Sequence, residues 1–214
     1  MTLQKNDFIE IEFTAKTKDG DLFDSNIPEE IKKINPQAKD QTKPFIFSLG
    51  HNMFLNAIDD FLIGKSKGKH IIELKPEQAF GNRQPQAVQR MPMKVFREHS
   101  LNPIPGIQFN FDGKIGKVLA ASGGRVIVDF NHPLAGKDVV YEINVLRKVD
   151  NINEKINAFN DFLFKREFKF EINDKKLIMQ VPKEMLKFIE MFKDKFKEIF
   201  GFDLELKEVE EKKE

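Results

Sequence analysis

The chain has 214 residues, of which 40% are hydrophobic and 32% charged, with 35 Lys+Arg set against 34 Asp+Glu. That length accommodates one large domain or two to three small ones, the apolar share excludes a disordered chain, and the balanced charge excludes phosphate-driven nucleic-acid binding. Zero cysteines exclude disulfides, thiolate metal sites and thiol nucleophiles, and four histidines scattered at 51, 70, 99 and 132 argue against a metal cage. No apolar run approaches the roughly 18 residues of a membrane span, and Met1 to Asp7 lacks an apolar signal core. The expectation is a soluble cytoplasmic protein without metal or cofactor. Its apolar residues are unusual: 22 Phe, one Tyr and no Trp.

In chain order, Ile9, Ile11 and Phe13 alternate with Glu10, Glu12 and Thr14, which predicts a strand. Lys18-Asp19-Gly20-Asp21 is a turn, followed by the short apolar pair Leu22-Phe23 and Asp24. Residues 25–43 are polar, with Pro28 and Pro36, and read as a long loop with at most a helical turn. Pro44 to Leu49 predicts a strand that stops at Gly50. A short helix follows, with Phe54, Leu55, Ile58, Phe61 and Leu62 on one face and Gly64 at its end. His70 to Leu74 is the next predicted strand, closing at Pro76.

Across 82–108, prolines at 85, 92, 103 and 105 exclude any long regular element. Strands are predicted at Gln108–Phe111, Ile115–Ala120 and Val126–Phe130, with turns at Asp112-Gly113 and Gly123-Gly124. Val139, Tyr141, Ile143 and Val145 then share the face of a further strand. Beyond Val149 the pattern changes. Ile152, Ile156, Phe159 and Leu163 have helical spacing, and Asn173-Asp174 separates two strand-like runs. A helix starting at Pro182 carries Met185, Ile189, Phe192, Phe196 and Ile199 to Gly201, and a last strand covers 202–206. This is a separate α/β unit, small enough to need a partner surface for its core.

Polar chemistry is scarce. Gly64-Lys65-Ser66 lacks the earlier glycine of a phosphate-binding loop, because Asp59 stands there, and it follows a helix instead of a strand. Asp129 and His132 have no serine in a strand-to-helix elbow to complete a triad. Glu73, Glu77 and Asp24 lie on separate elements, so paired-carboxylate catalysis has no support. The lysines of 183–197 alternate with acidic residues and read as a solvated helix face.

The residues Lys43-Pro44-Phe45-Ile46-Phe47-Ser48-Leu49-Gly50, then Pro76-Glu77-Gln78-Ala79-Phe80-Gly81, resemble the FK506-binding-protein (FKBP) family of peptidyl-prolyl isomerases. Thr17 to Ser25 matches the second-strand region of that family. Val88-Gln89-Arg90-Met91-Pro92 and the string Asn131-His132-Pro133-Leu134-Ala135-Gly136 are similar to the SlyD-like branch, in which an insert-in-flap domain with chaperone activity interrupts the FKBP domain. The resemblance covers residues 1–149. With its extra C-terminal unit, the chain resembles the long archaeal FKBPs, whose C-terminal domain dimerises.

The resemblance implies an α+β fold: an FKBP antiparallel half-barrel around a short helix (1–84 and 138–149), a β-rich insert (85–137) and a C-terminal α/β dimerisation domain (150–214). It implies a prolyl pocket in which Asp24, Phe80 and Tyr141 are catalytic and Phe13, Phe23, Phe45, Phe54, Leu55 and Ile58 bind substrate, with Ile58 as the floor. The Leu55 N–H would hold the substrate carbonyl. Prolyl isomerisation suits such a pocket, because its barrier of ~18–20 kcal/mol comes from amide resonance and needs no acid or base. The insert would expose Val88, Met91, Met93, Val95, Phe96, Leu101, Ile104 and Phe109 to unfolded chains. For these residues and for the pocket aromatics, the other reading is ordinary core. The implied partners are unfolded polypeptides with X-Pro bonds and a second copy of the chain, with no nucleic acid and no membrane.

Two departures weaken ligand anchoring. Positions 13 and 80, usually Tyr in the family, are Phe, and Ile58 stands where many relatives carry Trp. Each lost neutral hydrogen bond is worth ~0.5–1.5 kcal/mol, so macrolide binding should be weak. The His-rich metal-binding tail of some SlyD proteins is absent. Two rival readings follow: a chaperone whose isomerase pocket has decayed, and an adaptor that docks the Phe-rich 151–206 on a ribosome or another chaperone.

Overall fold

The computed structural model describes residues 2–37 and 43–209. They form a mixed α+β fold, as the sequence predicts. A five-stranded sheet has the order β2-β1-β9-β4, where β1 is Phe8–Thr17, β2 Leu22–Ser25, β4 Gly68–Leu74 and β9 Val139–Val149; β3, Phe45–Ser48, pairs with β1. The alternation read in β1 and β9 is the alternation of their burial, with Ile9, Ile11, Tyr141, Ile143 and Val145 all turned inward. By contact, the chain divides into two compact units, Met1–Glu12 with Thr42–His70 and Asn144–Glu214, and Phe13–Gln41 with Ile71–Ile143.

In the first unit, β1 and β3 pair antiparallel with Ile9 opposite Phe47 and Ile11 opposite Phe45. Helix α2, Asn56–Leu62, is shorter than the sequence suggested: Phe54 precedes it, and Leu55 is its N-cap in an extended conformation. Helix α4, Ile152–Phe164, starts at Asn151, whose side chain accepts from the N–H groups of Asn153 and Glu154. The hairpin β10 (Phe170–Asn173) and β11 (Lys176–Pro182) turns through Asp174, as read, and β12 (Asp203–Val209) pairs parallel to β11.

The long helix expected after Pro182 is broken. A single 3-10 turn precedes α5, Leu186–Glu190, and α6, Lys193–Phe200, follows after an interruption. At the interruption the hydrogen bonds tighten to i→i+3, from Met191 N–H to Phe188 C=O and from Phe192 N–H to Ile189 C=O. Ring packing accounts for it: Phe188 and Phe192 both meet Phe164 edge-on, at 5.9 and 5.4 Å. Beyond the break, Phe196 and Phe200 meet Phe159 at 5.1 and 5.5 Å, and Phe200 stacks on Phe8 of β1 at 5.6 Å. The abundance of phenylalanine is thus largely a packing solution in this unit.

In the second unit, residues 28–34 form a helix, α1 (Pro28–Ile34), longer than the helical turn that the sequence reading allowed within a loop. Its signals were present: proline at the first position, Glu29 and Glu30 in the first turn, Lys32 and Lys33 in the last. The remainder of that predicted loop, 38–42, lies outside the described residues.

The insert is a four-stranded antiparallel sheet, β5-β8-β7-β6, with α3, Met93–Glu98, following β5. Its strands are β5 Val88–Pro92, β6 Gln108–Phe111, β7 Lys114–Ser122 and β8 Arg125–Asp129. Both connecting turns have positive φ at their two central residues, Asp112-Gly113 and Gly123-Gly124, the backbone a tight hairpin demands. Phe96, Val118, Val126 and Val128 are fully buried at its centre. Phe96 is therefore core and is removed from the predicted chaperone surface. Met91, Met93, Val95, Leu101 and Phe109 pack against it, partly buried. Val88 is half-buried, and of the eight only Ile104 is substantially open, at 49%.

Candidate active site

The second unit holds a row of aromatic rings. Phe13 on β1 lies 6.2 Å from Tyr141 on β9, Tyr141 meets Phe23 on β2 edge-on at 6.0 Å, and Phe23 meets Phe80 edge-on at 5.7 Å. Burial declines along the row: Phe13 and Tyr141 are buried, Phe23 and Phe80 half-buried. Local bonding explains how β2 delivers its share. Ser25 Oγ donates to the Phe13 C=O at 2.7 Å, and Phe13 N–H donates to Asn26 Oδ1 at 2.7 Å. The β1–β2 register shifts between Ala15 and Lys16, just past the pairing of Ala15 with Asp24.

Asp24 is exposed as a residue, yet partial burial of its carboxyl pushes it above the ordinary carboxylate range, opposed by the Ser25 N–H. Burial also raises the Tyr141 phenol, and the Asp24 charge adds to the effect. Tyr141 is thus a neutral phenol at physiological pH.

In the first unit, Phe45, Phe47 and Phe54 form a ring cluster, with centroids 5.2 to 5.6 Å apart. Phe45, Phe54 and Leu55 are half-buried, whereas Ile58 is fully buried among core residues. Because Leu55 is the helix N-cap, its N–H precedes the α2 ladder and donates to no acceptor among the described residues. That is the kind of donor a substrate carbonyl requires.

Two residues escaped the sequence reading. Asp59, only 2% exposed, accepts from Gly50 N–H at 2.8 Å and from Asn52 N–H, while its Oδ1 is buried without a hydrogen-bond partner. Burial lifts its pKa to about 6. Gly50 and Asn52 both have positive φ, so Asp59 secures the tight turn that leads to Phe54 and Leu55. Nothing in an i+1 neighbour of Ile58 signals that role. His132, which the sequence reads as a loop residue and not as part of a triad, has its ring stacked on Phe80 at 4.9 Å with an interplanar angle of 1°.

Comparison with known proteins agrees with these elements. The FKBP-type peptidyl-prolyl cis-trans isomerase family profile matches residues 1–101, and the profile described as FKBP26, IF domain, matches residues 89–134. The chain belongs to the FKBP-type isomerases. It is 26% identical to a short-type peptidyl-prolyl cis-trans isomerase of Methanocaldococcus jannaschii, over 67% of this chain and 92% of that protein. It is 29% identical to the SlyD isomerase of Pasteurella multocida (73% of this chain, 74% of that one) and to a 16 kDa FKBP-type isomerase of Escherichia coli (68% and 93%). The reaction of an FKBP-type isomerase calls for neither a nucleophile nor a general base, because rotation about the imide breaks no covalent bond. It needs apolar walls that disfavour the charge-separated amide and a donor that holds the carbonyl.

Proposed function

We propose that this FKBP-type prolyl isomerase is also a folding chaperone, holding unfolded chains on its insert (85–137) while X-Pro bonds turn over in the isomerase domain (1–84 and 138–149). The observation that carries the catalytic half is the graded row Phe13–Tyr141–Phe23–Phe80 with the Asp24 carboxyl near enough for its charge to raise Tyr141. Twisting the imide removes its resonance and leaves a ketone-like carbonyl with a more positive carbon. The apolar rings favour that less charge-separated state, and the Asp24 carboxylate stabilises the carbon. Phe45, Phe54, Leu55 and Ile58 are assigned to substrate binding, with Ile58 acting as support beneath and not as exposed surface. The chaperone half rests on the half-buried and exposed apolar residues of the insert, Met91, Met93 and Ile104 among them. Tethering a substrate there raises its effective concentration at the catalytic rings without new chemistry.

Residues 150–214 are proposed to form a homodimer, since α5 leaves Phe188 and Met191 open at 48% and 78%. The location proposed is the cytoplasm. Among the described residues, no helix is long and apolar enough to cross a membrane.

The test is cis-to-trans conversion of a proline tetrapeptide by wild type, Phe80→Ala and Asp24→Ala, beside suppression of aggregation of an unfolded protein. Turnover in wild type that falls in Phe80→Ala supports catalysis at these rings. Suppressed aggregation without turnover would mean the pocket has decayed and only the chaperone is left.

A further inference from the structure

The insert presents a second apolar surface that none of the eight sequence-nominated residues lines. Strand β7 turns Gly116 and Val118 inward to the core and Ile115, Lys117 and Leu119 outward. Ile115 is 53% exposed and Leu119 39%, so the outer side of this small sheet carries two open branched aliphatics, one on either side of Lys117 along the strand. These residues border a cleft of about 780 Å³, walled also by Phe130, Pro133, Lys117 and Lys137.

Two features say what fits the cleft. The first is charge. Arg83 is neutralised by Asp129 at 2.6 Å, but Lys117 and Lys137 make no ion pair among the described residues. Lys117 stands directly across from Gln108 on one side and Asp129 on the other, so it is fixed on the same outward face as the aliphatics. The second is continuity with the catalytic rings. His132 lines the cleft and stacks flat on Phe80, within the same compact unit. Its Nδ1 accepts from the Leu134 N–H at 3.2 Å, which places the ring proton on Nε2, free to meet a passing carbonyl.

We infer that this cleft docks the residues flanking the target proline, and that it selects extended segments carrying aliphatic side chains beside a carboxylate. The inference rests on the isomerase reading above and gives it a sequence preference. An occupant threads from the Phe80 ring past His132 and along β7, its aliphatic side chains on Ile115 and Leu119 and its acid between Lys117 and Lys137. An apolar partner alone would leave both ammonium groups idle, and a basic one would be repelled.

The experiment compares three substrates with the full chain: the tetrapeptide, and two longer peptides that flank the same X-Pro with leucines plus either glutamates or lysines. The acidic peptide should be turned over about five- to tenfold faster in kcat/KM than the basic one, the size expected of two solvent-exposed ion pairs, and added salt should shrink the difference. The double variant Lys117→Glu/Lys137→Glu should reverse the preference while the tetrapeptide rate stays put. Equal rates for the two long peptides, or a preference that survives the double variant, would overturn the inference. If wild type does not convert the tetrapeptide, the isomerase reading has failed. Fluorescence anisotropy of the two labelled long peptides then decides docking by itself. Tighter binding of the acidic one, lost in the double variant, upholds the cleft, and equal binding removes it.

Discussion

The insert and the row of rings beside Asp24 use the same residue type for opposite ends. In the insert, Phe96 meets Phe109 and Phe111 edge-on at 5.9 and 5.7 Å, and Phe111 meets Phe130 at 5.3 Å, around a centre of valines with no polar group among them. In the row Phe13–Tyr141–Phe23–Phe80 the ring geometry is similar and the outer rings are half-buried too, but a carboxyl, Asp24, acts on one of the rings, Tyr141. Edge-on contact does not distinguish core from site. Neither does a gradient of exposure, since Phe109 and Phe111 are half-buried beside the buried Phe96; the carboxyl whose charge reaches Tyr141 is the difference.

Breaking that contrast has its largest expected effect at Phe96. Phe96→Ala removes a fully buried ring and should cost ~3–5 kcal/mol of insert stability, seen as an early unfolding transition in urea, with tetrapeptide turnover unchanged. A loss of turnover as large as the loss of stability would erase the distinction between the two ring groups.

Next is Asp59, on which the turn before Phe54 depends. Between pH 3.8 and about 6 the folded chain holds a proton that the unfolded chain has released, so stability should fall as pH rises through that window and then level off. The full change is about 3 kcal/mol, and Asp59→Asn should flatten the slope. Chemical denaturation at pH 4, 5, 6 and 7 measures it. An identical slope in the variant would mean that the carboxyl is not the group responsible.

Gly116→Ala sharpens the insert side. An added Cβ would lie 2.6 Å from Val128 Cγ1 and 2.8 Å from a Phe130 ring carbon, so thermal unfolding should show a loss of ~1–3 kcal/mol. The smallest effect is expected at Asp24. Its folded carboxyl titrates above 3.8, so kcat/KM should drop as pH falls through that raised value, and Asp24→Asn should give a flat profile at a rate reduced by less than about tenfold. A pH-dependent decline persisting in Asp24→Asn would point to another group.

Strand alternation in β1, β7 and β9 and the two glycine turns of the insert were legible because burial on one face imposes period two and tight hairpins demand positive φ. No local rule separates Phe80 from Phe96: the resemblance assigned Phe80 to a pocket and put Phe96 on the insert's surface, where the fold buries it completely. The break at Met191 was not legible. It follows from Phe188 and Phe192 converging on Phe164, a residue on another helix, while the helical spacing of 185–199 is locally sound. Asp59 was hidden for a similar reason: its partners, Gly50 and Asn52, come from a turn whose path only the fold defines.

The stack of Phe8 on Phe200 has a consequence for synthesis. A ribosome releases Phe8 long before its ring partner Phe200, and β1 must also wait for its neighbour β9. The insert needs only residues that emerge together, so it can close while the first strand still lacks β9 and the Phe200 ring. A nascent copy would then carry a folded insert before the sheet that holds β1 and β9 is complete.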